Sequence, residues 1–291
     1  MILITGANGQ LGQDFQKYFA QQGLAYLATD YVATAHCAAL DITDPAAVES
    51  FLDGKAIDLL INCAAYNDVD RAESEVAKAY AVNCDAPKNL ARIARQRGIP
   101  LVTYSTDFVF DGTKGAPYRE TDPPNPLSVY GKAKYQGEQE ALDAYDRVLV
   151  IRTSWVFGLG NNNFNKSVLR WVAGSDELRI VADQISAPTY SRDLAEYSWY
   201  LIRAGATGLY HLSNQGQASK YEQAAYLLRR IGWRGRLIKA RTAEFKLPAP
   251  RPAFSKLDSS KAESLIGKKL PEWTDALDRF LDELKQAEKV K

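Results

Sequence analysis

The sequence predicts an α/β fold: a doubly wound parallel sheet followed by a smaller mixed α/β unit. Three observations carry this prediction. Short apolar runs alternate with amphipathic segments through about residue 152. The first run ends in a glycine-rich turn that opens a helix, and the alternation loosens beyond Gly158. The expected division is 1–157 and 158–291, with a stretch near 190–213 able to return to the first unit.

Ile2–Thr5 is a short apolar run of the kind a strand buried on both faces requires. From Gln10 to about Gln21, Leu11, Phe15, Tyr18 and Phe19 recur at helical spacing while Gln, Asp and Lys fill the other face. Residues 24–29 give a second strand ending at Asp30, and 38–40 a short third one ending at Asp41. At Thr43-Asp44-Pro45 a capping side chain precedes a proline at the first helical position, so a helix starts there and turns Val48, Phe51 and Leu52 to the core. Residues 58–65 read as a strand, 70–84 and 86–97 as helices, and 100–105 as a strand. The segment 111–127, with Pro117, Pro123, Pro124 and Pro126, reads as a long loop, and such loops usually border a site. A helix over 128–143 and a strand over 148–152 close the regular pattern. Helices near 164–173, 191–203, 219–231 and 273–287 and a strand near 209–212 follow, and the tail after Lys285 reads as a solvated helix end.

Composition excludes several function classes. Lys+Arg of 36 against Asp+Glu of 35 leaves a formal charge of +1, too small a field to attract nucleic acid or an acidic membrane. The three cysteines, Cys37, Cys63 and Cys84, are odd in number and lack metal-type spacing, which disfavours disulfides and zinc. No bound metal is therefore expected, and because neither a leader pattern nor a long apolar span appears, a cytoplasmic location is expected too.

Thr5-Gly6-Ala7-Asn8-Gly9-Gln10-Leu11-Gly12 follows a strand and opens a helix, the context of a dinucleotide fingerprint. Gly6 allows the tight turn, Gly9 the approach of a pyrophosphate, and Gly12 close helix packing. The spacing is G-x-x-G-x-x-G rather than G-x-G-x-x-G. Asp30 at the tip of the second strand is placed to accept from ribose hydroxyls and to repel a 2′-phosphate. No Arg or Lys lies between Lys17 and Lys55 to neutralise such a phosphate, so NADH is favoured, with NADPH possible. Ser105-Thr106-Asp107 ends a strand at the edge of the sheet where ligands of such folds bind. Tyr130 and Lys134, one helical turn apart, pair a phenol with an ammonium expected to lower its pKa toward neutrality.

On these residues the chain resembles the extended short-chain dehydrogenase/reductase family, and within it the branch that reduces a dTDP-activated 4-keto-6-deoxysugar. Further marks are Cys63-Ala64-Ala65-Tyr66 with Val69-Asp70 and Ala72-Glu73, Tyr104 through Gly112, Arg152-Thr-Ser-Trp155, Asp183-Gln184 with Pro188-Thr189, and Arg251-Pro252 with Ser255. The matches run from Met1 to about Asp258. The resemblance implies a Rossmann-type dinucleotide-binding unit and a mainly substrate-binding second unit. The implied reaction converts dTDP-4-dehydro-L-rhamnose to dTDP-L-rhamnose, a precursor of cell-surface polysaccharide.

By the same resemblance Gly9, Gln10, Leu11, Asp30, Asp41, Ile42, Ala64, Ala65, Tyr66, Tyr104, Tyr130 and Lys134 line the dinucleotide site. Thr106, Asp107 and Trp155 meet the sugar nucleotide, with Asn163, Phe164 and Arg251 toward its nucleotide portion. Thr106 hydrogen-bonds the reacting oxygen, Tyr130 supplies the proton, and Lys134 holds the nicotinamide ribose and tunes Tyr130. Two residues depart from the family pattern. Ser186 stands where a glycine is usual, and Arg192 where some relatives carry a glutamate of a magnesium-bridged dimer. The implied state is a monomer or weak homodimer. Two alternatives stay open: an epimerase or dehydratase, although Phe108 replaces the acid that related dehydratases carry, and a non-catalytic dinucleotide-binding subunit.

Overall fold

The structure is a computed structural model that describes residues 1–289. Seven parallel strands form the central sheet, in the spatial order Gly208–His211, Val148–Thr153, Leu101–Thr106, Leu59–Asn62, Ile2–Thr5, Tyr26–Asp30 and Ala38–Ala39. The chain winds outward in one direction from Ile2–Thr5 and in the other from Leu59–Asn62. The order therefore reverses between these two strands, which opens a crevice at their carboxyl ends. A buried polar rung fixes that point: Thr5 Oγ1 donates to Asn62 Oδ1 at 2.8 Å, and Asn62 Nδ2 donates to Thr103 Oγ1 at 3.2 Å.

Apolar clusters cover both faces of the sheet. Leu3, Leu60, Leu90 and Val150 pack on one side, and Ile4, Phe15, Phe19 and Ile151 on the other. The helix Ser191–Arg203 joins this second layer, with Trp199 edge-on to Phe19 at a ring separation of 5.0 Å. Gly208–His211 pairs in parallel with Val148–Thr153, so both segments pack with the central sheet. A third cluster, built on Phe157, Tyr190, Leu227 and Phe280, holds the second unit together. Its small sheet pairs Glu177–Val181 with Arg236–Ala240 in parallel, two strands where the sequence predicts loop.

Several boundaries differ from the sequence expectation. The strand expected over 58–65 ends at Asn62, because residues 63–66 turn to line the crevice. The expected helix over 70–84 is broken into Val69–Ala72, Val76–Tyr80 and a π-turn at Ala81–Asp85. That turn presents Asn83 inward, where its side chain accepts from the Tyr66 amide and donates to the Tyr66 carbonyl, both at 2.9 Å. A helix Ser260–Ile266 was not anticipated. The last helix runs from Trp273 to Lys289, and the end of the expected tail, Val290 and Lys291, lies outside the described residues. Among the described residues no helix is long and apolar enough to cross a membrane.

The helix Val129–Ala144 carries Tyr130 and Lys134 and is tied down from beneath. Ser128 caps it by accepting from the Gly131 amide at 3.1 Å. Gly131 lets it approach the 106–110 turn, since a Cβ there would lie 2.4 Å from the Phe108 carbonyl oxygen. Below, Arg152 on the neighbouring strand grips Glu138 through Nε at 2.9 and 3.1 Å and Nη2 at 2.6 Å, and both side chains are fully buried. Such a pair offsets its desolvation cost through geometry and fixes the register of helix on sheet.

Candidate active site

The crevice consists of two adjoining chambers of about 600 and 380 Å³ that share Gly9, Cys63, Ala65, Asn67 and Asn161. Gly6 starts the glycine turn in the left-handed region (φ 67°), and a Cβ on it would lie 2.3 Å from the Ala64 amide nitrogen. Only glycine fits there. Gly9 ends the turn as the N-cap of Gln10–Gln21, leaving the free amides of a helix start facing the crevice. Gly12 lies beneath the turn and lines neither chamber.

The larger chamber brings together Gly6, Gly9, Asp30, Asp41 and Ile42 with Ala64, Ala65 and Tyr66. Asp30 accepts from the amides of Asn8 and Tyr31 at 2.9 and 2.8 Å, so its carboxylate is held at the strand tip. Lys78 also enters this chamber, from a helix far along the chain. It lies 48 residues from Asp30 in sequence, and the fold alone brings the two together. Its ammonium lies 3.6 Å from Glu75 and over the Tyr66 ring.

The smaller chamber gathers Gln10, Leu11, Tyr104, Thr106, Asp107, Tyr130, Lys134 and Trp155. Ser105 Oγ and Thr153 Oγ1 are buried in its wall without a hydrogen-bond partner among the described residues. Unpaired hydroxyls beside a chamber of this shape fit a polar ligand such as the ribose and amide of a nicotinamide dinucleotide.

Tyr130 is 9% exposed and meets Phe108 edge-on at a ring separation of 5.9 Å. Burial pushes its phenol up to about 12. This corrects the expectation that Lys134 lowers it. Lys134 Nζ instead donates to the Tyr104 carbonyl at 2.5 Å, and burial pulls its own pKa down to about 8. For both groups burial is the largest cause, with a hydrogen bond to Thr106 opposing it at Tyr130 and the Glu138 charge opposing it at Lys134. Asp107 is also buried, and burial raises its carboxyl to about 6. It accepts from Thr106 Oγ1 at 3.2 Å, Ser186 Oγ at 3.1 Å and Ser255 Oγ at 2.5 Å. Ser186, the departure from the glycine of related chains, is thus a ligand of this carboxylate.

The remaining residues expected to meet substrate each have partners within the protein. Trp155 follows its strand in a left-handed backbone conformation (φ 45°), which costs a bulky residue about 1–3 kcal/mol and marks a constrained position. The Lys220 ammonium, which the sequence reading missed, covers its ring at 3.4 Å and lies 4.6 Å from the ring of Phe164. Asn163 caps the helix Phe164–Val172 and donates to Gln10 Oε1 at 2.9 Å, so its side chain ties that helix to the glycine turn. The Arg251 fork, expected to face phosphates, is closed on Asp70 by bonds of 3.1 and 2.7 Å. Burial pushes Asp70 up, but the bonds from Arg251 and the Ala249 amide outweigh it and hold the carboxyl below its usual range. Arg192 pairs with Glu283, and all three cysteines are free thiols.

Comparison with known proteins adds a family context. The family model described as RmlD substrate binding domain matches residues 1–286. A dTDP-4-dehydrorhamnose reductase of Mycobacterium tuberculosis is 40% identical over 284 residues, covering 95% of this chain and 90% of the relative. The spore coat polysaccharide biosynthesis protein SpsK of Bacillus subtilis is 36% identical, covering 98% of both chains. Among solved structures, a dTDP-4-dehydrorhamnose reductase of Clostridium acetobutylicum superposes with a TM-score of 0.92 at 36% identity, covering 98% of this chain and 99% of that one. A dTDP-4-dehydrorhamnose reductase of Bacillus anthracis in complex with NADP gives 0.91 at 35%, covering 97% and 98%.

Proposed function

The chain belongs to the RmlD substrate binding domain family, and from that premise we propose that it reduces the C4 ketone of dTDP-4-dehydro-L-rhamnose to give dTDP-L-rhamnose. The observation that carries this reading is the continuity of the crevice. A glycine turn with Asp30 lines one chamber, Thr106, Tyr130 and Lys134 line the next, and five residues border both. The relatives named as this reductase, at 34–40% identity over nearly the whole chain, support the choice of substrate.

A reduced nicotinamide dinucleotide, when bound, supplies the hydride. The residues that would hold it are Gly9, Gln10 and Leu11 at the turn, Asp30, Asp41 and Ile42 at the adenosine end, Ala64, Ala65 and Tyr66 along the wall, and Tyr104, Tyr130 and Lys134 at the chemical end. The chain's own work is positioning and proton transfer. Tyr130, protonated throughout the neutral range, gives its phenolic proton to the ketone oxygen. Thr106, held by Asp107 and the Phe108 amide, turns its remaining lone pair toward Tyr130 and positions that phenol, and burial excludes water from the pair. Trp155 borders the sugar.

NADH is the preferred reductant in this reading, because Asp30 places a fixed negative charge where a 2′-phosphate would lie. Lys78 moderates the preference without reversing it, since Glu75 already shares its charge. The B. anthracis neighbour holds NADP, so acceptance of both cofactors fits the family. Oxidation of NADH in the presence of a panel of nucleotide-linked 4-keto sugars tests the assignment, with the dTDP sugar expected to be the best substrate.

A further inference from the structure

Lys220 opens the helix Lys220–Arg230. Its ammonium is caught between the rings of Trp155 and Phe164. Aromatic faces offset part of the cost of removing a cation from water, but they leave its three N–H donors unused. Among the described residues no oxygen accepts a hydrogen bond from Lys220 Nζ. The nearby carboxylate, Asp107, has both oxygens committed to the hydroxyls of Thr106, Ser186 and Ser255. The other cations around the crevice are engaged as well. Arg251 is closed on Asp70, and Lys134 is bonded to the Tyr104 carbonyl. Burial pulls the Lys220 ammonium down to about 7, with Asp107 opposing and Arg251 reinforcing the shift. An approaching anion would restore its charge.

The position also suits an anionic ligand. Lys220 contacts Trp155, which lines the catalytic chamber, so its charge sits one side chain away from Tyr130 and Thr106. A substrate whose ketone reaches Tyr130 carries its diphosphate about one sugar ring distant. Resting on the reductase reading above, we propose that Lys220 binds the diphosphate of the nucleotide-sugar substrate, in the place the sequence assigns to Arg251.

The test measures binding of thymidine diphosphate and of thymidine to the wild-type protein, Lys220→Gln and Lys220→Arg by calorimetry, with NADH affinity as the check of integrity. A charge-assisted contact of this kind is worth about 10- to 100-fold in affinity. Wild type is expected to prefer the diphosphate by that margin, Lys220→Gln to lose the preference while binding thymidine and NADH normally, and Lys220→Arg to keep most of it. In turnover, Lys220→Gln raises KM for the dTDP sugar and leaves kcat within a few-fold. A second readout uses wild type alone: thymidine diphosphate, and not thymidine, should shield Lys220 from acetylation, as seen by peptide mass spectrometry. Unchanged diphosphate preference in Lys220→Gln, or equal labelling with both ligands, in a protein that does reduce the dTDP sugar overturns the role of Lys220 alone. A wild type that binds NADH but neither reduces the sugar nor distinguishes the two ligands overturns the reductase reading, and this inference with it.

Discussion

Thr106 Oγ1 donates to Asp107 Oδ1 at 3.2 Å and at the same time accepts from the Phe108 amide at 3.2 Å. A hydroxyl has one proton and two lone pairs, so only a lone pair remains to face the chamber and Tyr130. While Asp107 is ionised, it fixes the hydroxyl rotor, and Ser186 and Ser255 fix Asp107.

The first prediction follows from that arrangement. Thr106→Val keeps the shape and removes the hydroxyl, and it should lower kcat by about tenfold to a hundredfold, the size of one hydrogen bond at a reacting group. Thr106→Ser should stay within a few-fold of wild type. Steady-state kinetics of both variants decide it, and an active Thr106→Val would remove Thr106 from the catalytic set.

The pH profile is the second. Asp107, raised to about 6, is neutral below that pH and no longer directs the Thr106 proton, so kcat/KM should fall toward acid. Lys134, lowered to about 8, loses its charge above that value, so activity should also fall on the alkaline side. Tyr130, at about 12, stays a proton donor across the whole range and contributes neither limb. A maximum between about pH 6 and pH 7 is expected, with the alkaline fall beginning as Lys220, at about 7, loses its charge and steepening past Lys134, at about 8, and Asp107→Asn should lose the acid limb. A flat wild-type profile from about pH 5 to pH 9 would contradict this assignment of groups.

Much of this site was legible in the sequence because its parts obey local rules. The glycine turn, Asp30 at a strand tip and the Tyr130–Lys134 helical turn each need only a few consecutive residues, and the fold class followed from periodicity. What escaped was long-range. Lys220 lies 65 residues from the Trp155 ring it covers, Lys78 lies 48 residues from the Asp30 whose chamber it shares, and nothing in their own surroundings marks them. Asn83 was hidden because a π-turn has no sequence periodicity distinct from the helices around it. The pKa expectation for Tyr130 failed for a related reason: helical spacing shows that two side chains share a face, but not how deeply they are buried.

A third prediction concerns stability. Glu138→Ala leaves Arg152 buried without its carboxylate, and the protein should lose about 3–5 kcal/mol. Because this pair seats the helix carrying Tyr130 and Lys134, kcat should fall as well. Chemical denaturation with the slope monitored measures the loss, and a change below about 1 kcal/mol would show that the pair is dispensable.

The cofactor preference gives a fourth. Asp30→Ala removes the charge at the strand tip and should shift the ratio of kcat/KM for NADH over NADPH toward NADPH by about tenfold, one charge-dependent contact. An unchanged ratio would place the discriminating group elsewhere, with Lys78 the first residue to examine.

The central claim is that one crevice joins a dinucleotide turn to a phenol that protonates a sugar ketone. The most direct measurement is NADH oxidation with dTDP-4-dehydro-L-rhamnose by wild type and by Tyr130→Phe, with the product identified by mass spectrometry and NADH binding measured in both. The account predicts dTDP-L-rhamnose from wild type, little turnover of a small unactivated ketone, and a loss of roughly 10²- to 10⁴-fold in Tyr130→Phe with NADH affinity within a few-fold. Folded, NADH-binding wild type that leaves the dTDP sugar unreduced, or Tyr130→Phe that turns it over at the wild-type rate, would contradict it.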